Sequence, residues 1–438
     1  MNESEENEFK VWKTLIFSTN YLIQGMVQSL FSVIVPIYLI IIISETGEVI
    51  TPSDIAFLAS IVMLPWAIKF LFGILSDRFG SKTMGRRRPW ILAFMIMSGS
   101  IWIFLPFFLI PEYSSNIIII FTIAGVFINL GVAVGDTVLD GFILDICPKE
   151  HLGRVQGTCW GFKYIGVIGG GPLLAFIVVS LGATVESIFT IFGFLTIIIS
   201  MLVLMIKEPL DYPRAEIRKN LGKMFKRGKD WKMYFFALFN AFIDGVVLLF
   251  MALYILIQWE FISAEGASLE LLDGVDLSIY MYQAYISLII SVGIIIGAVV
   301  GGYYSDLRSR RGSVYLSLII STVAILLIAV PLDVWLLLVL ASLVGIGMGW
   351  RHSSYSAVLG QFSKEHPEMI SSYFSIANSF VNVGTVLGLV IIGIIFEITL
   401  SFIVVFIFMA IVSNLGILPF VLIKQSEYEI IKEIKNFE

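Results

Sequence analysis

Cysteine, histidine and charge are all scarce in these 438 residues. There are two Cys and three His, and Asp, Glu, Lys and Arg together make up 14% of the chain, against about 25% in ordinary soluble domains. Two cysteines exclude a disulfide-stapled secreted fold. So little charge excludes intrinsic disorder, which needs a polar, charged chain unable to bury a core. The His and Cys residues show no metal-ligand spacing, and no Gly-rich loop ending in Lys-Ser/Thr is present to cradle nucleotide phosphates. No metal and no cofactor is therefore expected, and ATP-driven work by this chain has no support. A net charge of −5 gives no footing for nucleic acid, whose phosphates call for a basic surface.

What is abundant is apolar. AVILMFWYC make up 58% of the residues, more than a soluble domain of this length can hide. A membrane-spanning helix takes about 20 predominantly apolar residues, and twelve such stretches are present, at 14–43, 55–76, 90–110, 117–146, 155–180, 187–206, 233–259, 279–303, 314–330, 334–361, 370–396 and 400–423. They run apolar on all sides, which indicates helices rather than the alternating strands of an outer-membrane barrel. The prediction is an all-α membrane protein with twelve transmembrane helices. The opening, Met1 to Lys10, is polar and acidic and the first stretch exceeds a signal-peptide core, so that stretch is expected to remain as a helix.

Lys and Arg fix the expected orientation. They lie in the segments after stretches 2, 4, 6, 8 and 10 and at both ends, with Lys69, Lys163 and Arg351 as the exceptions. The alternate segments carry acids, among them Glu112, Glu186, Asp273 and Asp333. By the positive-inside rule both termini are cytoplasmic, in a multi-pass protein of the plasma membrane. Residues 207–232 hold nine Lys/Arg and four Asp/Glu and read as a solvated cytoplasmic linker near anionic lipid headgroups. They separate residues 1–206 from 233–438, six stretches each.

The two sets share landmarks in the same order. The first and seventh stretches carry Asn20-Tyr-Leu-Ile-Gln24-Gly25 and Asn240-Ala-Phe-Ile-Asp244-Gly245, preceded by Trp12-Lys13 and Trp231-Lys232. The second and eighth end at Ser76-Asp77-Arg78 and Ser305-Asp306, with Arg308 two residues on. After the fourth and tenth come Lys149-Glu150-His151 and Lys364-Glu365-His366. Four matches in one order indicate two homologous six-helix bundles related by pseudo-symmetry. Residues 65–90, with Pro65-Trp66, Lys69, Gly73, Ser76-Asp77-Arg78 and Gly85-Arg86-Arg87-Arg88-Pro89-Trp90, resemble the signature between helices 2 and 3 of the major facilitator superfamily. The stretch Gly135-Asp136-Thr-Val-Leu-Asp140 with Gly153-Arg154 and Gly169-Gly-Gly-Pro172 is similar to bacterial muropeptide permeases and acetyl-CoA transporters. The Gly-Arg-Arg-Arg-Pro-Trp string is equally similar to glycoside and sucrose cation symporters. The resemblance implies the major facilitator fold, a small-molecule solute as partner, a coupling ion, and transport rather than enzymatic turnover.

Charges inside apolar stretches call for a partner or a role, since each costs about 2.5–3.5 kcal/mol at the bilayer centre on insertion scales. Lys69 lies ~12 Å from Asp77 along its helix, Lys163 a similar distance from Val155, and Asp140 eight residues before Pro148. These three share a layer, and Asp136 sits one turn from Asp140 on the same face. Two readings stand. The four form a neutral structural cluster, or one carboxylate takes up and releases a proton as its Lys partner moves, because desolvation favours the neutral acid and a nearby cation the ionised one. Asp145, about 140° round the helix from Asp140, reads as a gate residue.

In the second half Asp244 and Arg351 both lie near the midplane. Superfamily resemblance places helices 1, 4, 7 and 10 around a central cavity, so Asn20, Gln24, Asn240, Asp244, Arg351 and His352 are the candidate solute contacts. A guanidinium there suits a carboxylate or phosphate; the bland alternative is an Asp244–Arg351 salt bridge. Asp77 and Asp306 are candidate gates, each facing a helix N-terminus of the other half, with Arg78, Arg86, Arg88, Arg154 and Arg308 as latching cations. Cys147 and Cys159 lie toward the cytoplasm, where thiols stay reduced. The expectation is a monomeric secondary transporter, surrounded by lipid, that moves an anionic sugar derivative or similar organic solute by alternating access with proton coupling. A neutral glycoside cation symporter is the alternative, and a membrane acyltransferase using His352 is disfavoured by the two-half symmetry.

Overall fold

The computed structural model describes residues 10–44, 50–109, 116–147, 149–208, 222, 225–263, 269–271, 278–330, 332–364 and 370–428. Within them lie twelve helical segments, two of them interrupted. Helix α1 runs Val11–Ser29 and, through a π-turn at Leu30–Ile34, continues as Val35–Ser44. Helix α2 is in three pieces, Pro52–Val62, Leu64–Ala67 and Lys69–Arg78. Then come α3 (Arg88–Phe108), α4 (Ile117–Ile146), α5 (Lys149–Ile168, extended to Leu181) and α6 (Val185–Met201). Helix α7 is split into Gly228–Asn240 and Asp244–Gln258. The remainder are α8 (Ser278–Leu307), α9 (Arg310–Ile328), α10 (Val334–Lys364), α11 (Ile370–Thr399) and α12 (Phe402–Val412, then Ile417–Val421).

Ten of the twelve are unbroken enough and apolar enough to cross a membrane by length and composition; α2 and α7 fall short because they are interrupted. In α2 the cause is Pro65, which lacks an N–H and crowds the carbonyl one turn back. The chain turns at Met63 and again at Ile68 (φ −103°, ψ 13°), so Lys69 opens a new helical piece. The π-turn of α1 precedes Pro36 and that of α5 contains Pro172, each absorbing a missing donor.

The chain forms two compact units, Met1–Ile217 with Glu260–Ser287, and Arg218–Trp259 with Leu288–Glu438. The first therefore holds α1–α6, the short antiparallel pair β1 (Ile262–Ser263) and β2 (Glu270–Leu271), and the first turns of α8, to Ser287. That pair is tied to the segment before α2, where the Leu269 N–H donates to the Ile50 carbonyl at 2.6 Å.

Several helix pairs in each unit meet main chain to main chain, among them α3 with α6 through Gly99 and Gly193, and α8 with α10 through Gly297 and Gly349. In the first, a Cβ at Gly25 would overlap the Lys163 carbonyl, and one at Gly166 the Leu22 carbonyl, so α1 and α5 meet main chain to main chain. In the second, Gly384 and Gly388 of α11 play the same part against the carbonyls of Leu238 and Phe242 on α7. Small residues allow such approach without a hydrophobic drive between helices. The device recurs at matching helices, 1 with 5 and 7 with 11.

Candidate functional site

In the first unit the structure brings Lys69, Asp136 and Lys163 together. Asp136 is 3% exposed and lies between the two ammoniums, with Lys69 Nζ 3.1 Å from Oδ2 and Lys163 Nζ 3.9 Å from Oδ1. The break in α2 puts Lys69 at the first position of a helical piece, where a cation is disfavoured by the local dipole; its carboxylate partner offsets that. The Trp66 ring lies beneath both ammoniums, 5.9 Å from Lys69 Nζ and 5.2 Å from Lys163 Nζ. Its indole N–H donates to Asn129 Oδ1 at 2.9 Å, and Asn129 donates in turn to the Gly125 carbonyl at 3.0 Å. Asp140, one turn along α4, is held differently. Among the described residues no cation lies within 4 Å of it, and the Tyr21 hydroxyl donates to its Oδ1. Tyr21 is almost wholly buried.

Tyr21 and Trp66 were not among the residues the sequence singled out. Trp66 carried a faint signal, standing three residues before Lys69 on a prolyl turn. Tyr21 carried none beyond its place in the Asn20–Gly25 repeat. Asn20 is buried and donates to the carbonyls of Ile16, at 2.9 Å, and Ile199 of α6, at 3.4 Å, so its amide holds α1 to α6. Gln24 is equally buried, and its Oε1 has no partner among the described residues.

Where α2 meets α3, Asp145 takes both Arg86, at 2.7 Å, and Arg87, at 2.9 Å. Arg87 also donates to Ser76 Oγ at 2.7 Å. Glu208, which the sequence placed in a solvated linker, is instead fully buried. Its carboxylate accepts the backbone N–H groups of Arg86, Arg87 and Arg88 at 2.8, 2.7 and 3.1 Å, and lies 3.7 Å from Arg88 Nε. The free amides at the start of α3 and the positive end of its dipole account for this choice of partner. Arg78 is exposed, 5.6 Å from the Phe79 ring, and Arg308 is exposed at the end of α8. The side chains of Asp77, Arg154 and Asp306 lie outside those the structure describes, as does the start of α11 near Pro367.

In the second unit the Asp244–Arg351 bridge, the alternative to solute binding by Arg351, is not formed among the described residues. Asp244 pairs with His352, 3.4 Å from Nε2, with the imidazole a third exposed. The Arg351 guanidinium is 2% exposed. It donates to Asn240 Oδ1 at 3.4 Å, Ser321 Oγ at 3.3 Å and the Ser413 carbonyl. Helical depth put Asp244 and Arg351 at one level, but Arg351 reaches the Asn240 end of the first piece of α7 together with α9 and the end of α12's first piece, while His352 meets Asp244. Arg351, Asn240 and Asn20 thus hold helices together inside their own units.

Among the described residues, ten helices long and apolar enough to cross a membrane, with charges and amides paired among them, describe an integral membrane protein. The chain belongs to the Major Facilitator Superfamily, whose profile matches residues 17–272 and 274–436. It is 24% identical over 355 residues to "Putative transporter AmpG 1" of Rickettsia conorii, covering 73% of this chain and 79% of that protein. It is 25% identical over 221 residues to the "Folate-biopterin transporter" of Synechocystis sp., and 30% identical over 148 residues to "Probable folate-biopterin transporter 4" of Arabidopsis thaliana. Those matches span 41% and 28% of the two relatives' lengths, and 47% and 33% of this chain. Among solved structures, the nucleoside transporter NupG superposes with TM-score 0.68 at 12% identity, over 94% of this chain and all of that one. A bacterial homologue of the lysosomal transporter Spinster superposes with TM-score 0.61 at 13% identity, over 95% of each chain. The named relatives and the solved neighbours are transporters, and the chain spans less than half the length of the two folate-biopterin relatives it matches.

Proposed function

We propose that the chain is a proton-coupled carrier of an anionic organic solute, working by alternating access as a monomer. The observation that carries this reading is the set Lys69, Asp136, Lys163 and Asp140 inside the first unit. With both carboxylates ionised the set sums to zero. When Asp140 takes a proton from hydronium, an O–H bond of the donor breaks as the carboxyl O–H forms, water is left behind, and the set becomes +1. A solute carboxylate or phosphate beside Lys163, the ammonium farther from Asp136, balances that charge; release of the anion lets the proton leave to the other side. Two lysines about 4 Å or less from one carboxylate also favour this over a neutral-solute reading, because removing an unbalanced charge from water is costly. In the second unit the partly exposed His352 is the proposed anion contact, with Asp244 as the internal carboxylate it leaves.

The relatives' names suggest the first probe. Folate carries carboxylates and is the named solute class of two of them. In proteoliposomes under an inward acid gradient, labelled folate or a muramyl peptide should accumulate and dissipate with a protonophore. Accumulation of sucrose but of neither anion would contradict the proposal and support neutral glycoside symport.

A further inference from the structure

We infer that Tyr21 is a positioning residue for Asp140, and that Tyr21 and Lys163 act on the α4 carboxylates as one two-point switch. The inference rests on Asp140 carrying the coupling proton. Its structural ground is the backbone contact between α1 and α5. Gly25 abuts the carbonyl of Lys163 itself, Gly166 that of Leu22 and Gly170 that of Met26. Three contacts of main chain on main chain leave no side chain in between to absorb a slide. Tyr21 on α1 and Lys163 on α5 are therefore fixed to one another.

Both reach the same helix. Lys163 lies 3.9 Å from Asp136, and Tyr21 donates to Asp140 one turn further on. Lys69 belongs to α2, stands closer to Asp136 at 3.1 Å, and is anchored outside the α1/α5 pair. A shift of α1 and α5 together against α4 breaks two contacts in a single movement, while Asp136 keeps Lys69. A hydroxyl donor and a nearby ammonium both favour an ionised carboxylate, so the two contacts act in the same sense. A tyrosine that merely packed α1 would not need its hydroxyl on Asp140.

The test pairs infrared spectroscopy with transport on the full-length purified protein. The C=O stretch of a protonated carboxyl is followed by pH titration, and the band that Asp140→Asn removes is Asp140's. Asp140→Glu, which moves the band, serves the same purpose if the Asn variant does not fold. Tyr21→Phe should displace the midpoint of that band by about one pH unit. In proteoliposomes, Tyr21→Phe should cut acid-driven folate uptake about tenfold while exchange of bound folate stays within about twofold, and Lys163→Gln should cut acid-driven uptake by at least as much. The double variant should be no worse than the poorer single one. An unmoved band in Tyr21→Phe, or losses that multiply in the double variant, overturn the inference. A wild-type titration with no band belonging to Asp140 instead sinks the coupling reading beneath it. The infrared arm needs no solute.

Discussion

At the scale of single residues, Asp136 is the side chain on which most charge depends. Two lysines share it, so Asp136→Asn removes the carboxylate common to both and leaves the set with an excess positive charge. It should destabilise the first unit by about 3–5 kcal/mol, read as a lowered thermal midpoint in detergent, with partial recovery on adding Lys163→Gln. Asp140→Asn keeps a hydrogen-bond acceptor for Tyr21 and should cost no more than about 1.5 kcal/mol. Equal losses from the two substitutions would show that Asp140 also has a structural charge to balance. Lys69, Asp136, Asp140 and Lys163 were legible in sequence because a charge in an apolar stretch stands out, and helical rise converts position into depth. Depth does not give azimuth, which is why Arg351 was matched to Asp244 when Asn240, Ser321 and a main-chain carbonyl receive it. Tyr21 and Trp66 stayed hidden for another reason: aromatic residues are common in membrane helices, and nothing in composition marks the one that touches a carboxylate.

At the scale of elements, the sequence reads as unbroken stretches at 55–76 and 233–259, and the structure breaks both; Pro65 accounts for the break in α2, whereas residues Ala241–Ile243 of α7 include no proline. The carbonyl of Phe242 faces Gly388 there, so the partner helix accommodates what the local sequence does not dictate. Gly166→Val and Gly384→Val should behave alike despite lying in different units. Each inserts side-chain volume where two backbones touch and should cost about 1–3 kcal/mol, seen as matching drops in thermal midpoint. A neutral result at either position would mean that its helix pair separates freely. Glu208 shows how a boundary drawn on charge alone misleads. Its carboxylate satisfies three amides at the start of α3, so Glu208→Ala should lose about 1–3 kcal/mol for buried donors left unmade. Glu208→Gln, which retains an acceptor, should lose less in the same melting experiment.

At the scale of the whole molecule, the repeat and the loop charges are what the sequence displays most openly, because each unit must satisfy the same membrane constraints. The charge asymmetry makes orientation testable. In a background with Cys147 and Cys159 replaced by serine, Ser263→Cys should react with an impermeant thiol reagent from outside intact cells, and Thr83→Cys should react only after permeabilisation. The central claim is that solute movement carries a proton on Asp140. It is tested most directly by recording proton flux and labelled folate flux together in proteoliposomes of the wild type and of Asp140→Asn. The account predicts solute-driven alkalinisation in the wild type, and in Asp140→Asn retained exchange of folate with no accompanying proton movement. Alkalinisation by Asp140→Asn at the wild-type proton-to-solute ratio would contradict it.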